Sequence, residues 1–313
     1  MASAPLHPAP LFIAGPTAVG KSDLALLLAE RLGGEIISVD SMQVYRGLDI
    51  GTAKPSPAER QRVPHHLLDV IPLDEPFDAA RFVALASEAV REIHSRGHTP
   101  IFCGGTGLYF NAYLDGLGEA PPSDPRLRTE LENTPLPSLL DELAARDPTT
   151  WERIDRQNPR RVIRAIEVIR LTGKPFSSQR AAWPEEATPN QSPGTARFYI
   201  LSRQPDDLHT RIELRVDQMF ARGLVAETEN LLRHGLAGNR IALQAIGYRQ
   251  VVEHLRGERG LSETIALVKT RTRQFAKRQM TWFRRRLPGA WIEAVAGETP
   301  QAIASRVEEL MNR

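Results

Sequence analysis

The sequence predicts an α/β protein: a parallel-sheet core, a mainly helical insertion in the middle and a helical C-terminal region. Two observations carry this reading. Strand-like and helix-like stretches alternate through the first third of the chain, and the texture then changes to proline-punctuated helical pieces with no strand between them. At 313 residues the chain is long enough for a substantial core plus one inserted subdomain.

The elements follow in order. Leu11–Ala14 is a short apolar strand that runs into a glycine-rich turn. Asp23–Leu32 has apolar residues at helical spacing and is stopped by Gly33 and Gly34. Glu35–Asp40 reads as the next buried strand, which completes a βαβ unit and makes the sheet parallel. Ala79–Ser95 is a helix ended by Gly97, and Thr99–Cys103 a third strand running into glycines. From about Pro121 the helical pieces are 127–133, 136–146 and 159–171, followed by a loop by composition from Trp183 to Thr195. Phe198–Leu201 is a return strand of the core, and helices are expected over 205–234, 242–256 and 262–286. The expected division is a core of 1–120 and 197–313 with an insertion of 121–196.

Composition narrows the class. The apolar share of 41% and charged share of 25% are those of a globular protein. No apolar run approaches the roughly 18 residues that span a membrane, and Met1–Pro10 lacks the features of a secretory signal. Cys103 stands alone, which excludes a disulfide framework and a cysteine-based zinc module and fits a reducing cytoplasm. Net charge is only +2, but its distribution is uneven. Between Glu263 and Glu293 there is no acid, while Lys269, Arg271, Arg273, Lys277, Arg278, Arg284, Arg285 and Arg286 fall there with Phe275, Trp282 and Phe283. Such a one-sign field attracts phosphate backbones, though a charge run by itself is as often a solvated helical face. The interleaved aromatics favour RNA.

Gly15-Pro-Thr-Ala-Val-Gly-Lys-Ser22 matches the Gly-x-x-x-x-Gly-Lys-Ser/Thr phosphate loop, with a strand before it and a helix after it. The core is therefore P-loop NTPase-like. The N–H groups of Gly15, Pro16 to Val19 where present, Gly20, Lys21 and Ser22 wrap a diphosphate, Lys21 adds charge, and the Ser22 hydroxyl is placed for Mg²⁺. The loop does not reveal the reaction. The second strand ends in Asp40, suited to taking a proton from a nucleophile, and the third in Gly104-Gly-Thr106-Gly, a hydroxyl without a carboxylate. A small-molecule kinase would fit these residues as well.

The wider pattern resembles a family. In order come the phosphate loop, Asp40-Ser-Met-Gln-Val-Tyr45, Gly51-Thr-Ala-Lys-Pro55, Pro64-His-His-Leu67, Gly104-Gly-Thr-Gly-Leu-Tyr109, Asn158-Pro-Arg-Arg-Val162, Ala245-Ile-Gly-Tyr-Arg249 and the basic segment from Thr272 to Arg284. This is similar to the tRNA dimethylallyltransferases, which move a dimethylallyl group from dimethylallyl diphosphate to N6 of adenosine 37 in tRNA. The resemblance implies Asp40 as the base that receives the amine proton, Thr106 as a positioning hydroxyl, and Arg215 as a diphosphate contact with Arg211 as its rival. It implies Mg²⁺ as cofactor, a diphosphate grip that includes Thr17 and Ala18, and tRNA contacts from Asp40, Ser41, Met42, Gln43 and Thr106. Further tRNA contacts are implied for Arg128, Arg160, Arg161, Val162, Ile163, Arg164, Gln244, Ala245, Ile246, Gly247, Tyr248, Arg249, Lys277 and Arg278.

Gln43 is the choice for reading adenine, because a side-chain amide pairs bidentately with its edge; Met42 and Tyr45 are either stacking groups or core. His65-His66 is not expected to hold a metal, since adjacent residues do not converge. Eukaryotic family members carry a C-terminal zinc finger and this chain has no cysteine pair, so a bacterial type without zinc is expected, cytoplasmic and monomeric. Rival readings are a free-nucleotide prenyltransferase, an ATP-dependent small-molecule kinase and a non-catalytic RNA-binding module.

Overall fold

The computed structural model describes residues 7–179, 181 and 197–312. The loop expected at Trp183–Thr195 lies outside them. In chain order the elements are β1 (Leu11–Ala14), α1 (Lys21–Leu32), β2 (Gly34–Val39), α2 (Pro57–Arg62), β3 (His65–His66), α3 (Ala79–Ser95), β4 (Thr99–Gly104) and α4 (Gly107–Asp115). Then come α5 (Pro125–Asn133), α6 (Leu136–Arg146), α7 (Pro148–Arg153), α8 (Pro159–Thr172), β5 (Arg197–Ser202), α9 (Pro205–Ala221) and α10 (Leu224–Arg233). The last are α11 (Tyr248–Leu255), α12 (Leu261–Arg286), β6 (Ala290–Glu293) and α13 (Pro300–Met311).

The chain divides into two compact units, Met1–Asn111 with Pro184–Arg313, and Ala112–Trp183. The first holds a six-stranded sheet in the order β3-β2-β4-β1-β5-β6. Every pairing is parallel, so all strand C-termini open on one edge. Strands covered on both faces are mostly apolar, as in Leu11–Ala14, where all four residues are buried. The period of two then sorts the faces. Leu11 and Ile13 pack with Leu24 and Leu28 of α1, Ile212 of α9 and Val307 of α13. Phe12 turns the other way and stacks on Phe102 at 4.8 Å and Phe198 at 5.5 Å. Full burial of side chains such as Leu24 and Leu28 contributes about 1.5–3 kcal/mol each.

At the opposite edge, Glu35 is 1% exposed and anchors the N-terminal end of β2. Its carboxylate accepts two bonds from Arg96 at 2.8 Å and one each from His66 Nε2 and His98 Nδ1 at 2.7 Å. His66 thus serves the sheet, and His65 Nδ1 lies 2.7 Å from the Val63 carbonyl.

Several elements differ from the sequence expectation. Gly34 belongs to β2 rather than to a helix stop, and a Cβ there would lie 2.8 Å from the Thr99 carbonyl oxygen. The helix expected over 205–234 is broken at Gly223, whose φ of 97° no helix interior accepts. That expected over 242–256 begins as a 3₁₀ turn at Ala242–Gln244 and becomes α11 only after Gly247, with φ 101°. The strand β6 had no strong signal, since Ala290, Trp291 and Glu293 are exposed and only Ile292 faces the core; the final helix α13, capped by Thr299 with Ile303 and Val307 buried, was not expected either.

The second unit is helical and has its own core of Leu131, Leu139, Leu143, Val162, Ile166 and Ile169. Asp147 caps α7 through the Thr150 N–H at 3.0 Å and accepts the Ser177 N–H at 2.7 Å. Among the described residues no helix is long and apolar enough to cross a membrane.

Candidate active site

Three loops at the C-terminal ends of adjacent strands β2, β4 and β1 form the site. The phosphate loop follows β1. Gly15 is required by packing, because a Cβ would sit 2.8 Å from the Leu201 carbonyl oxygen and 2.9 Å from Val19. Gly20 caps α1 with φ 102°, and Ala18 holds φ 64° without being glycine, a local strain typical of ligand clamps. Two guanidiniums hold the back of this loop. Arg211 Nε donates to the Ala18 carbonyl and Arg203 Nε to that of Val19, each at 2.8 Å. A planar peptide points its N–H opposite to its C=O, so the Arg203 bond to Val19 turns the Gly20 N–H away from that guanidinium. Arg203 is itself fixed by Asp207 at 2.8 Å. Neither its presence nor its role was legible from local pattern.

Lys21 Nζ donates to the Pro16 carbonyl at 3.1 Å. Burial pushes its ammonium below the ordinary lysine range; Cys103 and Asp40 oppose this and Arg215 adds to it. Burial likewise pushes the Cys103 thiol up to about 11, so the lone cysteine stays protonated. Arg215 sits one turn beyond Arg211 on α9. Burial lowers its pKa while Asp40 and then Asp23 raise it, and it makes no hydrogen bond or ion pair among the described residues. The two rival arginines differ in what they touch: Arg211 is bonded to the loop backbone and Arg215 is not.

Asp40 directly follows β2. Its Oδ1 accepts the N–H groups of Met42 at 2.8 Å and Gln43 at 3.3 Å, which leaves Oδ2 without a partner among the described residues. Thr106 follows β4, and its hydroxyl oxygen accepts the Ser41 N–H at 3.3 Å. The glycines beside it serve close approach. A Cβ on Gly104 would lie 2.1 Å from the Val39 carbonyl oxygen, and one on Gly105 2.3 Å from Gln279 Nε2. Gln279, on α12, joins the Thr17 N–H to the Gly105 carbonyl at 2.9 Å each.

Gln43 is more constrained than expected. Its Oε1 accepts from the Ser38 hydroxyl at 2.8 Å and its Nε2 donates to the carbonyls of Thr52 and Ala53 at 3.1 and 3.4 Å. Both ends of the amide that would read adenine are engaged within the protein. The 49–54 turn that receives it is built from α10 and α11: Glu227 accepts the Ile50 N–H at 3.0 Å, and Tyr248 Oη accepts the Gly51 N–H at 3.1 Å. Lys54, 8% exposed, donates to the Tyr45 carbonyl at 2.6 Å and pairs with Asp49 and Asp69. Tyr45 is fully buried and so belongs to the core, while Met42 is half-buried.

The residues expected to meet RNA sort into two groups. Tyr248, Ala245 and Gly247 are buried, Ile246 packs against the core, and Tyr248 donates to Glu227 at 2.6 Å; only Gln244 and Arg249 of that segment are exposed. In the second unit, Val162 and Ile163 are core side chains and cannot present themselves to a ligand. Arg128 and Arg164 are tied to Glu167, which is fully buried, at 3.1 and 2.7 Å. Arg160 and Arg161 are exposed, as are Lys277 and Arg278, the last lying 5.8 Å from the Phe275 ring centre. Along α12, Lys269 and Arg273 are paired with Asp217 and Glu213, whereas Lys277, Arg284 and Arg285 have no partner among the described residues. Alternation of burial along α8, not the arginine spacing, decided which side chains face out.

The IPP transferase family model matches residues 43–286. The chain belongs to the IPP transferase family. A tRNA dimethylallyltransferase of Trichlorobacter lovleyi is 47% identical over 291 residues, covering 92% of this chain and 94% of that one. The full-length tRNA isopentenylpyrophosphate transferase of Bacillus halodurans matches with a TM-score of 0.70 at 39% identity, covering 97% and 96% of the two chains. A eukaryotic dimethylallyltransferase solved acting on tRNA matches with a TM-score of 0.76 at 28% identity, covering 98% of this chain and 80% of that one. The family's sheet core with helical insertion and C-terminal helices is the architecture seen here.

Proposed function

We infer that the chain is a tRNA prenyltransferase: it transfers the dimethylallyl group of dimethylallyl diphosphate to N6 of adenosine 37 in the anticodon loop and releases diphosphate. The observation that carries this is the side-by-side placement of Asp40, Thr106 and a phosphate loop with an unpaired arginine, in a member of this family.

The N6 lone pair attacks C1, the C1–O bond breaks, and diphosphate leaves with the bonding electrons. The amine proton goes to Asp40 Oδ2, the oxygen left open by the turn at Met42 and Gln43. Lys21 turns from the Pro16 carbonyl to the diphosphate, joined by Arg215 and by the N–H groups at the start of α1. Thr106 positions the amine or the bridging oxygen. Mg²⁺ fits the residues present. Ser22 offers an exposed hydroxyl at the first turn of α1, and the described residues contain no acidic or histidine cluster that would make a protein-only cage. When bound, the ion neutralises charge on the leaving diphosphate.

The RNA phosphates meet exposed cations: Arg160 and Arg161 on the second unit, and Lys277, Arg284 and Arg285 on α12. Within the second unit, Arg128 and Arg164 fix Glu167 instead of contacting RNA. Gln43 holds the 49–54 turn and reads the base only if it exchanges its contacts with Thr52 and Ala53.

Incubation with labelled dimethylallyl diphosphate, Mg²⁺ and either unmodified tRNA or AMP, followed by digestion and mass analysis, tests the assignment. Label on the adenosine 3′ of the anticodon is expected. Label on AMP alone, or none, overturns it.

A further inference from the structure

We propose that Gln279 is a positioning residue for the transfer reaction: it straps the diphosphate loop to the threonine loop and so sets the separation of leaving group and attacking amine. This rests on the assignment of those loops to the reaction given above. Gln279 is 7% exposed, and its amide has two partners, both backbone groups of the site. Oε1 accepts the Thr17 N–H and Nε2 donates to the Gly105 carbonyl, each at 2.9 Å. The two loops leave adjacent parallel strands, paired through Ala14 and Gly104. On the far side of Gly105, Thr106 takes the Ser41 N–H at 3.3 Å, next to Asp40. One line of bonds therefore crosses all three loops: Thr17, Gln279, Gly105, Thr106, Ser41.

The side-chain type follows from the partners. One loop presents an N–H and the other a C=O, and a carboxamide offers both an acceptor and a donor from one planar group without depending on its protonation state or tautomer. Removing the amide leaves the Gly105 carbonyl and the Thr17 N–H without this partner. The absence of a side chain at Gly105 is what admits the amide, since a Cβ would meet Nε2 at 2.3 Å. The helix that carries Gln279 is fixed as well. Trp282 Nε1 donates to Asn111 Oδ1 at 3.0 Å, and Asn111 Nδ2 donates to the Arg286 carbonyl at 2.9 Å. Gln279, Trp282 and Arg286 lie on one face of α12, the face opposite Lys277 and Arg284. The strap thus stands on a rigid support.

Displacement at C1 needs amine, carbon and leaving oxygen in line, and a misplacement of about 1 Å costs on the order of 100-fold in rate. When the amine is out of line, water is the competing nucleophile. It breaks the same C1–O bond, and the products are dimethylallyl alcohol, diphosphate and a proton. Loss of the strap should therefore divert the reaction as well as slow it, which loss of fold does not do.

The test compares wild type with Gln279→Met, which keeps length without hydrogen bonds, and Gln279→Glu, which keeps only the acceptor for Thr17. Turnover per folded molecule, KM for tRNA, and the ratio of dimethylallyl alcohol to prenylated tRNA are measured. In Gln279→Met, kcat should fall at least about tenfold and the alcohol ratio rise severalfold, with KM for tRNA within about twofold of wild type. Gln279→Glu should lie between the two. A wild type that prenylates no tRNA would sink the functional reading, whereas an active wild type with kcat per folded molecule and alcohol ratio unchanged in Gln279→Met overturns the strap.

Discussion

The hydroxyl oxygen of Thr106 accepts the backbone N–H of Ser41 at 3.3 Å, which joins the loop after β4 to the loop that carries Asp40. The same hydroxyl has its own proton left to donate toward the reacting atoms. Thr106→Val keeps the shape and removes both functions. Its kcat should fall by about 10- to 100-fold, and Thr106→Ser should recover most of the loss. Initial rates at saturating substrates check this; a Val variant at wild-type rate would remove Thr106 from the mechanism.

Asp40 is tested by Asp40→Asn, because an amide oxygen still accepts from Met42 and Gln43 and preserves the turn. Single-turnover transfer should drop by about 10²–10⁴-fold, with inorganic diphosphate binding by calorimetry changed little. Unchanged turnover would exclude Asp40 as the base.

The two arginines of α9 should separate kinetically. Arg215→Met removes a cation that meets the leaving group and should lower kcat as well as diphosphate affinity, by about 1.5–3 kcal/mol in each. Arg211→Met releases the Ala18 carbonyl and should act mainly on KM for dimethylallyl diphosphate. Identical profiles for the two variants would contradict the division.

Arginines of the helical unit should also part company. Arg160→Ala with Arg161→Ala should weaken tRNA binding and flatten its salt dependence by roughly one to two in log–log slope, with Tm unchanged. Arg164→Ala leaves the buried Glu167 short of a partner and should lower stability by about 1–3 kcal/mol. Gel-shift titrations across salt and thermal melts read the two effects.

Acid stability should depend on Glu35. The Arg96 guanidinium, helped by His66 and His98 and opposed by burial, lowers its carboxyl from 4.5 to about 2. A depressed carboxylate stabilises the fold above its unfolded pKa and loses that contribution as pH falls from about 4.5 towards 2. The span corresponds to at most about 3.5 kcal/mol, less what solvent around the partly exposed Arg96 and His98 screens. Glu35→Gln should therefore be less stable than wild type at pH 7, and the gap should narrow towards pH 2. A constant gap in urea melts across that range would refute the assignment.

Much of this protein was legible in one dimension because its signals are local. The strand, glycine turn and helix around Lys21, and the strand ending at Asp40, depend on neighbours within a dozen residues, as do the apolar periods of α3, α5 and α6. The motifs in sequence order pointed to the family as well. The breaks at Gly223 and Gly247 were marked by their glycines but masked by strong helical pattern on either side.

What tertiary structure decided is where polar side chains spend their hydrogen bonds. The family resemblance made Arg128, Arg164, Gln43 and Tyr248 look available to RNA, and the fold commits each to a protein partner: Glu167 for the two arginines, three residues along α8 in the case of Arg164, the 49–54 turn for Gln43, and Glu227 for Tyr248. It also brought Arg203 to the Val19 carbonyl and Gln279 between Thr17 and Gly105, across 184, 262 and 174 positions of chain. A local pattern records which residues can form a helix or wrap a phosphate. Which charged or amide groups remain free for a ligand depends on which partners the fold brings to them, since most polar groups inside a protein are matched.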